Sequence, residues 1–99
     1  MLDLDKLINE GVEVKILGKT VTLLQPTIND SKTIDKLQSE MTQDNAYEKR
    51  AAITKVILNN NVEDAKFTDK DIEKIPVKLQ TVLHMEINKF MYDLANSPN

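Results

Sequence analysis

The chain contains a single histidine, His84, and imidazole is the side chain best suited to moving protons or holding a metal near neutral pH. A metal site on one helix needs a second ligand three or four residues away. Those positions hold Gln80, Thr81, Ile87 and Asn88, and Glu86, two residues on, faces another side of a helix. His84 is therefore expected as a partly exposed polar residue on a helix flank. Asp69-Lys70-Asp71-Ile72-Glu73 has the acidic density of a calcium loop. It lacks the turn glycine and the bidentate Glu at the required spacing, and acids in a first helical turn are expected from the helix dipole alone. Gly18-Lys19-Thr20 resembles the end of a phosphate loop, but the first glycine and the following helix are missing. Ser31, Ser39 and Ser97 lie in no nucleophile-elbow pattern. The expectation is a protein that is not an enzyme, with no catalytic residue, no cofactor and no metal.

The elements that position these residues can be read from periodicity and punctuation. The 99 residues suit one domain, 1–99. Without cysteine, disulfides and thiolate chemistry are excluded. A net charge of −3 and only four aromatics (Tyr47, Phe67, Phe90, Tyr92) argue against a nucleic-acid binder. No run approaches the roughly 18 apolar residues of a membrane span, and the acidic start Met1-Leu2-Asp3-Leu4-Asp5 has none of the charge pattern of a signal peptide.

Residues 1–26 read as a leader helix over 3–9 followed by a β-hairpin. Val12 to Leu17 and Thr20 to Leu24 both alternate with period two. A type II′ turn at Gly18-Lys19 would set Ile16 opposite Val21 and Val14 opposite Leu23. Residues 27–95 read as helical: a helix over 29–42 with a stripe of Ile34, Leu37 and Met41, then one capped by a box at Asn45 and Glu48 and closed by Asn59-Asn60-Asn61. A loop to Lys66 follows, then a short turn capped at Thr68 and a last helix from Pro76 to about Ala95. Residues 96–99 read as a frayed tail. The fold class is thus α+β, a two-stranded antiparallel hairpin followed by a bundle of three or four helices.

The last helix has an unusual wheel. At about 100° per residue, Leu79, Leu83, Ile87, Phe90 and Leu94 lie within about 40° of one line, a core stripe. The charges Lys78, Glu86, Lys89 and Asp93 occupy one strip beside it, and the rest of the circumference is uncharged. The helix starting near Asn45 repeats the theme, with Tyr47, Ala51 and Leu58 turned away from Ile53 and Ile57. Either these helices are sandwiched within their own chain, or a second surface meets another one. Methionines re-pack against varied apolar partners, so a partner-binding surface is placed at Met41, Leu58, Val77, Met85, Met91 and Tyr92. A lone hairpin also has two unpaired edges, which makes a homo-oligomer expected.

The order of a leader helix, the hairpin Val12-Glu13-Val14-Lys15-Ile16-Leu17-Gly18-Lys19-Thr20-Val21-Thr22-Leu23 and a Pro-Thr step into helices resembles the small tail assembly chaperones of long-tailed bacteriophages. These include the tape-measure-protein chaperones of phages infecting lactococci and related Gram-positive bacteria. The resemblance covers nearly the whole chain and rests on layout and hairpin pattern. It implies a non-catalytic protein of the infected cell's cytoplasm, absent from the mature virion. Such a protein coats the aggregation-prone tape measure protein until tail tube protein replaces it. The family has no motif that assigns partner-binding residues, so the six named above rest on the helix wheel alone. The competing reading is a small regulatory or interaction subunit that uses its hairpin edge to bind a partner strand.

Overall fold

A computed structural model describes residues 1–95; the expected frayed tail, 96–99, lies outside them. The order is α1 (Leu4–Ile8), β1 (Gly11–Ile16), β2 (Lys19–Leu24), α2 (Ile28–Ser39), α3 (Ala46–Leu58), α4 (Asp69–Glu73) and α5 (Val77–Ala95). It is an α+β fold in which four of the five described helices follow an antiparallel hairpin.

The hairpin register differs from the expected one. Val14 faces Val21, Val12 faces Leu23 and Ile16 faces Lys19. The turn is Leu17-Gly18, not Gly18-Lys19, and both residues take positive φ, 52° and 78°. Positive φ at both central positions defines a type I′ turn, whose twist matches that of the strands. The strain of a left-handed leucine accompanies that choice. The parity of the faces is unchanged by the shift, so Val12, Val14, Ile16, Val21 and Leu23 still share one apolar face. Lys19, freed from the turn, places Nζ 4.8 Å from the centre of the Phe67 ring and donates to the Lys66 carbonyl.

Two helix starts follow directly from sequence. Thr27 with Asp30, and Thr68 with Asp71, form reciprocal capping boxes. Asn45 does not cap α3. Its side chain accepts from the Thr42 amide at 2.6 Å and donates to the Glu40 carbonyl at 3.1 Å, so it braces the α2–α3 connection instead.

α3 is the central helix, packed by α2, α4 and α5. It buries Ile53, Thr54, Ile57 and Leu58, which join Val21, Leu23, Phe67, Ile72, Ile75, Leu83 and Ile87 in the interior. Ile34, Leu37, Met41, Val14 and Ile16 pack against this core while half-buried. Leu58, expected to face a partner, is 0% exposed. Three neighbouring helices enclose more of α3 than one stripe, so the residue opposite Ile53 is interior too. On α5 the buried line is Gln80, Leu83 and Ile87. This is a rotation of roughly 30° from the expected stripe, at about 100° per residue. Leu79 is left half exposed, and Phe90 and Leu94 are half-buried.

The loop after α3 is ordered by its asparagines. Asn59 donates to the Phe67 carbonyl and accepts from its amide, Asn60 donates to the Gln25 carbonyl, and Asn61 clasps both backbone groups of Ala65. The loop in turn pairs with β2. Leu24 donates to Asn60, Val62 donates to Thr22, and the Glu63 carboxylate accepts from both the amide and the hydroxyl of Thr22. The bond from the Thr22 backbone holds the Glu63 carboxyl below its ordinary range. One of the two hairpin edges expected to be unpaired is therefore covered.

Candidate functional site

α2 and α5 both pack on α3, and the space between them forms a cleft of about 260 Å³. Its floor is apolar: Ile34 from α2, Ile53 and Ile57 from α3, and Ile87 from α5. Polar side chains rim it, with Ser31, Asp35 and Gln38 on one side and His84 and Asn88 on the other. Met91 closes one end. On α5, His84, Asn88 and Met91 recur at i, i+4 and i+7, the spacing of one helical face. A larger hollow of about 520 Å³ lies between α2 and the end of α3. It is more open, and Lys55 on its wall is already paired with Asp69 at 2.8 Å. The cleft is the more enclosed of the two.

The six residues nominated from the helix wheel do not converge. Met91 reaches the cleft, and Met41 is half-buried against the core. Leu58 is interior. Val77, Met85 and Tyr92 are exposed on α5 but do not line the cleft. The floor isoleucines read in the sequence only as core, because an apolar residue under a gap between helices has the same periodicity as one under a helix. The spacing of His84, Asn88 and Met91 within the uncharged sector was the available signal.

His84 stands in the cleft wall with its ring half-buried. Its Nε2 lies 3.2 Å from the hydroxyl of Thr54, which is 0% exposed. The hydroxyl has one proton and two acceptor-only neighbours, the Arg50 carbonyl at 2.9 Å and Gln80 Oε1 at 3.3 Å. Proton counting therefore makes His84 Nε2 the donor to Thr54 and leaves Nδ1 as an acceptor in the neutral ring.

Burial, reinforced by the charge of Arg50, lowers the His84 pKa below its ordinary 6.5. The unfolded chain then binds a proton more readily than the folded one. Stability is fully present above pH 6.5, declines as pH falls through that value, and levels off below the folded pKa. Urea denaturation between about pH 5 and 7 is expected to show this slope in wild type and a flatter profile in His84→Gln. Glu63 and Asp71, whose pKa values are lowered from 4.5 and 3.8, titrate below that window.

Among the described residues, no three His, Asp or Glu side chains come together as a metal site, and no helix is long and apolar enough to cross a membrane. No family model, curated protein or solved structure matches this chain. What the cleft can do must be read from its chemistry. It combines apolar floor residues with the imidazole of His84 and the amide groups of Gln38 and Asn88.

Proposed function

We propose that the protein is a non-catalytic tail assembly chaperone that keeps a phage tape measure protein soluble. In this reading it holds apolar helical stretches of its partner between α2 and α5, in the cytoplasm of the infected cell. The observation that carries the reading is the isoleucine-floored cleft ending at Met91. Amphipathic helices dock into such grooves through apolar anchors at i, i+3, i+4 and i+7. The flexible thioether at the end of the cleft tolerates non-identical anchors, as coating a long partner requires. Modest affinity at each site is compatible with later displacement by tail tube protein, because many copies on one partner supply avidity.

The test is co-expression with tape measure fragments, followed by pull-down at low and high salt. Met91→Asp combined with Asn88→Asp puts two charges at the cleft and is expected to weaken capture by about tenfold or more. Met85→Asp, on the outer face of α5, is expected to leave capture intact. Wild-type capture should survive high salt, since the contact is mainly apolar. Loss of capture in Met85→Asp with retention in the cleft variant would move the site to the outer face. Retention in both would refute docking on α5.

A further inference from the structure

We propose that two copies of this chain pair through the free edges of their β1 strands, about a two-fold axis at Val14, to form one four-stranded antiparallel sheet. The proposal is independent of what occupies the cleft.

In a two-residue hairpin the pair flanking the turn exchanges both backbone bonds, and such pairs then alternate. Ile16–Lys19, Val14–Val21 and Val12–Leu23 are thus the bonded pairs. The amides and carbonyls of Glu13 and Lys15 must point away from β2. The opposite edge verifies this parity, because the outward groups of Thr22 and Leu24 are the ones bound by Val62, Glu63 and Asn60. On β1 no such cover exists: among the described residues, nothing is hydrogen-bonded to the outward backbone of Glu13 or Lys15.

Register selects the occupant. An antiparallel partner must set outward residues against outward residues. A two-fold at Glu13 would oppose like carboxylates, which is destabilising. A two-fold at Val14 sets Glu13 against Lys15 of the second copy, and Lys15 against its Glu13, giving two cross-strand ion pairs on the exposed face. On the other face it sets Val14 against Val14 and Val12 against Ile16. These three residues are only half-buried, whereas Val21 and Leu23 on the neighbouring strand are wholly buried. The apolar face thus ends abruptly at β1 in one copy and continues across the pair. A sequence reading Glu-Val-Lys on a free edge is complementary to itself under this operation alone.

Sedimentation equilibrium provides the test. Wild type is expected to self-associate at high concentration. Glu13→Lys sets lysine against lysine at both contacts and should raise the dissociation constant about tenfold. Lys15→Glu should do the same by opposing carboxylates. The double exchange, Glu13→Lys with Lys15→Glu, restores opposite charges in the same register and is expected to return association to the wild-type level. Both substituted positions, 13 and 15, are exposed. The cleft variant Met91→Asp should associate like wild type, which separates this interface from the proposed chaperone site. A wild type that stays monomeric up to about 1 mM would overturn the proposal. So would single exchanges that associate normally, or a double exchange that does not recover.

Discussion

Phe67→Ala is expected to lose about 3–5 kcal/mol of folding stability, a large share of the roughly 5–15 kcal/mol that holds a domain of this size. The ring is 1% exposed and is among the largest wholly buried side chains. It fills the space beneath α3 where the loop returns, and Asn59 fixes its backbone on both sides. That clamp prevents the loop from collapsing into the vacated space, and the cost of a cavity grows when its walls cannot relax. The variant also loses the ring beneath the Lys19 ammonium, a smaller term at an exposed site. Urea unfolding monitored by circular dichroism measures the loss, and Phe67→Leu should recover much of it. Near-wild-type stability for Phe67→Ala would show that the ring is not part of the core.

Leu58→Ala is expected to cost about 2–5 kcal/mol. The side chain is fully enclosed, at the point where α3 meets the hairpin and the loop. The same substitution separates two roles for this residue. If Leu58 met a partner, truncation would weaken capture of a tape measure fragment and leave the melting curve unchanged. Its interior position instead predicts a lower midpoint of unfolding, and under the chaperone proposal the fraction that remains folded should capture the fragment no less than the unsubstituted chain.

Most of the fold was legible because short-range chemistry settles it. Thr68 sits three residues before Asp71 and forms the cap expected of it, while Thr27 and Asp30 form the same reciprocal box, a signal that the expected helix start at 29 misses. The alternation in β1 and β2 places the correct residues on the apolar face. The register was not legible, because it depended on Leu17 accepting a left-handed conformation that its side chain disfavours. Asn45 shows a second limit. Its spacing to Glu48 is that of a capping box, yet the Glu40 carbonyl and Thr42 amide claim its side chain. The orientation of α5 exposes a third. A wheel that ranks residues by hydrophobicity turns Leu79 inward and Gln80 outward, whereas Gln80 is buried because Thr54 and the Ile75 carbonyl satisfy its amide. That rotation brings His84, Asn88 and Met91 to the cleft, so the candidate site depended on a polar contact between helices that one-dimensional periodicity does not encode.

The asparagine loop also bears on the order in which the molecule assembles and comes apart. The hairpin and each helix close over short stretches of chain, but the bonds from Asn60, Val62 and Glu63 to β2 join residues separated by 36 to 41 positions. Such contacts become favourable only after the intervening chain has lost its freedom, so they form late. Their backbone groups lie on one strand edge and share a single short segment, so they are lost together in a partial opening. A fluctuation that lifts residues 59–67 uncovers Phe67, Leu58 and the whole outer edge of β2 at once. The loop thus acts as a latch whose opening bares apolar side chains and a strand edge together, and cleavage by a protease through that opening should track the free energy of releasing it.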